Sequence, residues 1–178
     1  MSHGLRAEHA EINATAASVL GFLSIGPLTG WDMNELAQVS VGHFWNITRS
    51  QIYRELTSLT EFGLIECDDT GPRNSRRYRL TGAGRERLHD WLTEAPTNPI
   101  ERNPFLVKLF FADQLTTLER DSLIAGARAQ HEESLATLED VLPMAEQLSP
   151  FAAATAHYGI AIKRAILQWF DDAPWQED

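Results

Sequence analysis

Between positions 48 and 59 the chain sets Thr48, Arg49, Ser50, Gln51, Tyr53, Arg54 and Thr57 around Ile52, Leu56 and Leu59. The three apolar residues recur at helical spacing and Thr48 is a capping type, so the segment predicts a helix running to Phe62. Gly63 stands just past its end, where a left-handed residue closes a helix at little cost. If the apolar stripe faces a core, Arg49, Ser50, Tyr53, Arg54 and Thr57 face outward, with Gln51 at the flank. These types read base edges and hold phosphates: Arg for guanine or phosphate, Gln for adenine, and hydroxyls for phosphate oxygens. The first turn of such a helix adds free N–H groups and the positive end of the helix dipole. A second basic group follows in Arg73, Asn74, Arg76 and Arg77, beside the turn-forming run Asp69-Thr70-Gly71-Pro72.

Each of these residues also has a structural reading. Tyr53 can pack its ring on its own helix and expose only its hydroxyl. Tyr78 alternates with Arg77 and Arg79, which points it inward on a strand, and Arg79 can pair with an acid such as Glu66 instead of a phosphate. Arg85 and Arg87 lie on a helix among Glu86 and Asp90, as solvated or paired charges. Other chemistry lacks its constellation. The six histidines, His3, His9, His43, His89, His131 and His157, have no metal-ligand spacing with one another or with Cys67. Cys67 falls on an expected strand, where it serves as a small apolar residue. No glycine-rich phosphate loop, serine elbow or paired-carboxylate motif is present, so neither an enzyme, a metal site nor a cofactor is expected.

The elements that must carry these residues follow from periodicity and caps. Asn13 caps a helix through Ala16, Val19, Leu20 and Leu23, which Gly26-Pro27 ends. Thr29-Gly30 opens a short helix from Trp31 to about Val39, and residues 40–47 have no helical period. After the Thr48 helix, two strands are expected at 64–68 and 76–80, joined by an exposed loop. Thr81 caps a fourth helix through Leu88, Trp91 and Leu92. Ala95-Pro96-Thr97-Asn98-Pro99 reads as a linker. Beyond it, Asn103-Pro104 opens a dense apolar helix, and Thr116-x-x-Glu119 is a capping box for a long helix that Pro143 is expected to bound. Ser149-Pro150 starts a last helix with Phe151, Ala154, Tyr158, Ala161, Ala165 and Trp169 at helical spacing. Three helices and then two strands around a basic loop is the winged-helix order. The expected fold is mainly α with a small two-stranded wing (α+β): a winged helix-turn-helix over 1–94 and a helical dimerisation domain over 95–178.

The net charge of −10 over 178 residues argues at first against a nucleic-acid partner. Its distribution reverses that. Residues 1–92 hold nine Lys/Arg against eleven Asp/Glu, whereas residues 93–178 hold six against fourteen. Six arginines crowd between Arg73 and Arg87, and screening limits distant charges to about 8–10 Å at physiological salt, so a local basic patch still meets phosphates. No run of eighteen apolar residues spans a membrane. The N-terminus does not have the pattern of a signal peptide, and a single cysteine excludes an internal disulfide. A cytoplasmic protein is expected.

These residues resemble the PadR family of bacterial transcriptional regulators. The resemblance is carried by Val19-Leu20-Gly21-Phe22-Leu23, Gly26-Pro27-Leu28-Thr29-Gly30-Trp31-Asp32-Met33, Gln51-Ile52-Tyr53-Arg54-Glu55-Leu56, Gly63-Leu64-Ile65 and Arg77-Tyr78-Arg79-Leu80-Thr81. It is strong over 13–92 and looser through Asn103-Pro104-Phe105 and Phe110-Phe111-Ala112-Asp113. The final helices look like the dimerisation domain of one subgroup. Trp31 stands where the family more often has tyrosine. The resemblance implies a homodimeric repressor on an inverted-repeat operator, with double-stranded DNA and a second copy as partners. It also implies release by a small aromatic ligand, for which Trp31, Trp45, His157 and Tyr158 are the candidate effector-binding residues; their structural alternative is core and dimer interface. A winged helix used for protein–protein contact without DNA is the rival reading, and the arginine set 49, 54, 73, 76 and 77 separates the two.

Overall fold

The computed structural model describes residues 11–68, 76–96 and 102–173, with the backbone alone at His43. It divides into two compact units, residues 1–96 and 97–178.

The first unit contains α1 (Ala14–Ile25), β1 (Leu28–Thr29), α2 (Gly30–Val39), a 3₁₀ turn (Val41–His43), α3 (Arg49–Glu61), β2 (Ile65–Asp68), β3 (Arg77–Leu80) and α4 (Gly82–Thr93). Side-chain caps fix the helix starts. Asn13 Oδ1 accepts from Ala16 N at 2.9 Å, and Thr29 and Asp32 close a reciprocal capping box at the head of α2. Val19, Leu20 and Leu23 of α1, Met33 and Ala37 of α2, Ile52, Leu56 and Leu59 of α3, and Leu64 and Ile65 form one buried core. α1 packs against both α3 and α4, so the core holds α3 by its apolar stripe and leaves its other face to solvent.

The sheet differs from the sequence expectation. It has three antiparallel strands in the order β1-β3-β2, with Leu28 opposite Tyr78 and Cys67 opposite Tyr78 on the other side. The extra strand is two residues long, too short for any alternation to announce it; its pairing with β3 creates it. Gly63 takes the left-handed conformation (φ 71°) after α3, as its position predicts. Gly84 answers a different need. A Cβ there would collide with the Leu64 carbonyl oxygen and stand 2.7 Å from Leu80 Cδ1. That carbonyl is fixed in turn by Thr81, whose N–H and hydroxyl both donate to it.

The second unit contains α5 (Pro104–Phe110), a 3₁₀ turn (Ala112–Gln114), α6 (Thr117–Leu148) and α7 (Pro150–Asp171). Asn103 caps α5, and the expected Thr116–Glu119 box caps α6, where hydrogen bonds from Thr116 hold the Glu119 carboxyl below its ordinary pKa. α6 and α7 run antiparallel. Arg128 pairs with Asp171 at 2.6 Å and Glu139 with Arg164 at 2.6 Å. Leu138 lies on Gly159, where a Cβ would be 3.1 Å from Leu138 Cδ1. Pro143 does not end α6, contrary to expectation; it lies inside a helix of 32 residues. Proline costs a helix interior about 3 kcal/mol. The helix runs on across it with α7 alongside on both sides, Gly159 against Leu138 before the proline and His157 at 4.0 Å from Glu146 after it.

The apolar stripe expected on the last helix is largely exposed in the single chain. Phe151 is 84% and Tyr158 63% exposed, while Ala156, Ile160 and Phe170, on other faces of α7, are the buried residues.

Candidate nucleic-acid interface

α3 is built to be held from one side. Thr48 Oγ1 accepts from Gln51 N at 3.3 Å, and Gln51 Oε1 accepts from Thr48 N at 2.8 Å. This capping box places the first turn of the helix at the surface with Arg49 and Ser50 exposed. It also engages the Gln51 carbonyl oxygen, so only the amide NH₂ of Gln51 is left to meet another group. The Thr-x-x-Gln spacing carried that signal, and the sequence reading assigned Gln51 to base reading without it.

The outward residues stand where periodicity puts them. Arg49, Ser50, Tyr53, Arg54 and Thr57 are all exposed, and Ile52, Leu56 and Leu59 are all buried. Their polar atoms are not equally available. Thr57 Oγ1 donates to its own helix at Tyr53 O, at 3.1 Å. Ser50 Oγ lies 3.1 Å from Thr48 Oγ1. The Arg54 side chain is 69% exposed, and its guanidinium touches Glu55 at 3.5 Å. Glu55 itself turns toward the core, with the residue 8% exposed. Arg49 stacks over the Tyr53 ring at 5.6 Å from the centroid.

The hairpin supplies the second basic group. Arg76 and Arg77 are exposed; Arg73 and Asn74 lie outside the described residues. Arg79 is an ion-pair residue, at 2.7 Å from Asp68 and 4.0 Å from Glu66. Tyr78 faces inward at 8% exposure. Burial, reinforced by Cys67, pushes its hydroxyl pKa up, and a hydrogen bond with Arg76 pulls the other way. Arg87 pairs with Glu94 at 3.6 Å.

The four candidate effector residues fall in both units. Trp31 is exposed on α2, and Trp45 is partly exposed with its indole N–H donating to Thr15 Oγ1 at 3.1 Å. His157, 4.0 Å from Glu146, and Tyr158 are exposed on α7. The second unit holds an aromatic cluster that sequence reasoning did not assemble. Phe105 and Trp169 both pack against Phe170, with centroids at 5.7 and 4.9 Å, and the His131 ring lies 6.1 Å from Phe170. Phe105 and Trp169 sit in helices the sequence treats separately, so no spacing links them. Among the described residues no group of three or more His, Cys, Asp or Glu is placed to hold a metal, and no helix is long and apolar enough to cross a membrane.

Residues 19–90 match the family described as the transcriptional regulator PadR-like family, and residues 101–174 match the virulence activator alpha C-terminal domain. The negative transcriptional regulator PadR of Bacillus subtilis strain 168 is 30% identical over 154 residues, spanning 82% of this chain and 85% of that protein. The crystal structure of Bacillus subtilis PadR in complex with operator DNA superposes with a TM-score of 0.79 at 26% identity, over 93% of this chain and all (100%) of that one. The structure of Bacillus subtilis PadR with p-coumaric acid gives 0.72 at 24% identity, over 94% and 100% of the two chains, a likeness of fold.

Proposed function

We propose, from the premise that this chain belongs to the PadR-like family of transcriptional regulators, that it is a homodimeric repressor which binds an inverted-repeat operator and is released by a small aromatic ligand. The family is one of regulators, not enzymes. The observation that carries the DNA reading is the division of α3. Its apolar stripe is locked in the core, and its exposed face presents Arg49, Ser50, Tyr53 and Arg54 from a capped helix start. In this reading α3 enters the major groove, and Arg76, Arg77, Arg73 and Asn74 meet the flanking backbone. Thr48 and Gln51 set the helix start, and the Gln51 NH₂ is the part of that residue turned to the duplex.

A second copy is supported by the apolar surface on α7, where Phe151, Tyr158, Ile162 and Trp169 are exposed in the single chain. Contiguous apolar surface of that kind marks an interaction site. A two-fold dimer reads two half-sites about 34–36 Å apart, hence an inverted repeat. The negative sign of control is supported by the Bacillus subtilis relative, described as a negative regulator. Ligand release is supported by that relative's structure with p-coumaric acid, and the aromatic residues Trp31, Trp45 and Tyr158 with His157 are the groups assigned to it. A tenfold loss of operator affinity needs a coupling of about 1.4 kcal/mol, within reach of one polar contact or aromatic stack. A cytoplasmic site of action goes with this reading.

Selection of bound duplexes from a random library, followed by mobility shift, tests the proposal. An enriched inverted repeat is expected. Failure to enrich any sequence, together with no retention on heparin, would favour the protein-contact reading. Tryptophan fluorescence during titration with phenolic acids, read alongside release of the selected duplex, tests the effector. Absence of both responses across the panel would remove the ligand from the proposal.

A further inference from the structure

Gly30 occupies the first position of α2, between the Thr29 cap and Asp32 of its capping box. Nothing in the backbone calls for glycine there. Among the described glycines only Gly63 lies in the left-handed region of φ, and alanine is the better helix former. The requirement is one of space. A Cβ on Gly30 would stand 2.8 Å from Tyr53 Cε1 and Cζ and 3.0 Å from the Tyr53 hydroxyl oxygen. The same ring carries the Arg49 guanidinium at 5.6 Å. Tyr53 and Arg49 are four residues apart on α3, one turn of helix, so ring and guanidinium share a face. Three residues from two helices thus form a series: the bare backbone of Gly30, the Tyr53 ring laid on it, and Arg49 stacked on the ring.

We propose that Gly30 is a positioning residue for DNA binding. The space it leaves seats the Tyr53 ring as a platform, and the platform sets where Arg49, the first cation of α3, meets the phosphate backbone. The proposal rests on the reading of α3 as the recognition helix. A guanidinium on an aromatic face gains cation–π attraction and loses rotamer freedom before DNA arrives, which is preorganisation. The atoms that an alanine at position 30 would meet belong to the far end of a flexible side chain. The ring yields, the backbone stays, and the core around Met33 and Ile52 is untouched. The effect therefore appears in binding and not in folding.

The test is a double-mutant cycle on the full-length protein with a duplex selected by the wild type. Gly30→Ala alone is expected to bind about threefold to tenfold more weakly, the scale set by one displaced rotamer. Its slope of log affinity against log salt is expected to be shallower by about one unit, the loss of one phosphate contact. In a Tyr53→Ala background the same glycine change is expected to alter affinity by less than about twofold, because the ring it would displace is gone. Equal losses in both backgrounds would overturn the proposal, as would a Gly30→Ala protein with wild-type affinity and salt slope. A Gly30→Ala protein that melts well below wild type would also overturn it, since the backbone and not the ring would then have moved. A wild-type protein that selects no duplex at all would remove the DNA reading itself, an outcome distinct from these three.

Discussion

Arg54 and His131 are single residues whose surroundings decide what removing them does. The Arg54 side chain is largely exposed, and among the described residues its ion pair is a 3.5 Å contact with adjacent Glu55. Pairs with an exposed partner contribute about 0–1 kcal/mol, so Arg54→Ala is expected to melt within a few degrees of wild type. A base or phosphate contact contributes more, about 1–3 kcal/mol for a bidentate pair, so operator binding is expected to fall at least about tenfold. Thermal melting by circular dichroism and a mobility shift separate the two; unchanged binding would place the reading face elsewhere on α3. His131 is half-buried on α6. Its Nδ1 has no hydrogen-bond partner among the described residues. Burial, and after it the charge of Lys163, holds its pKa below the ordinary 6.5. The unfolded chain then binds the proton more readily than the folded one. This residue's contribution is fully present above about pH 6.5 and is lost as the pH falls through the lowered folded value. Urea midpoints between pH 7 and pH 5 are expected to drop more steeply for wild type than for His131→Gln, and parallel curves would contradict the assignment.

The element that joins the hairpin to the helices is the start of α4. Thr81 caps it and also donates twice to the Leu64 carbonyl at the head of β2, the carbonyl on which Gly84 lies. An alanine at position 84 meets backbone held by two hydrogen bonds, and that backbone cannot move without breaking them. Gly84→Ala is therefore expected to destabilise by about 3 kcal/mol, the upper end of the ordinary range for overpacking. Gly159→Ala in the second unit makes a useful contrast. There a Cβ would press on the terminal methyls of Leu138 at 3.1 and 3.2 Å. A side chain can shift by a few tenths of an ångström, so a loss of about 1 kcal/mol or less is expected, offset in part by the better helix propensity of alanine. Chemical denaturation of the two variants decides the order, and equal losses would contradict it.

At the scale of the whole molecule, the two units carry opposite burdens. Among the described residues the first contains a closed core of fourteen buried residues, drawn mostly from its helices and strands. Among the described residues the second has two long helices and a short one, with Phe110 79%, Leu118 80% and Phe151 84% exposed in the single chain. A chain ended at Pro96 is expected to keep its fold and lose its partner. Sedimentation should then report a monomer, and operator affinity should fall by the effective-concentration advantage of a linked second site, about 10²–10⁴. A truncated chain that sediments as a tight dimer would move the interface into the first unit.

The sequence by itself determined the helices and the hairpin of the first unit and which face of each helix is apolar. Ile52, Leu56 and Leu59 at helical spacing place Arg49, Tyr53 and Arg54 outside whatever they pack against, and caps at Asn13, Thr29, Thr48 and Thr81 mark where the helices begin. These are local properties of period and hydrogen-bonding groups, so they are legible without coordinates. Tertiary structure decided the rest. β1 exists because Leu28 and Thr29 pair with β3, fifty residues away in the chain. α6 passes through Pro143 with α7 laid beside it, Gly159 against Leu138 on one side of the proline and His157 4.0 Å from Glu146 on the other. Arg79 stands opposite Glu66 in the hairpin register but pairs at 2.7 Å with the diagonal Asp68, a choice made by the side chains across the paired strands. Gly30, Tyr53 and Arg49 meet only when α2 is laid across α3, since no spacing in the sequence relates position 30 to position 53. Pairing, packing and steric fit between segments distant along the chain depend on where the other segment lies, and local sequence does not encode that position.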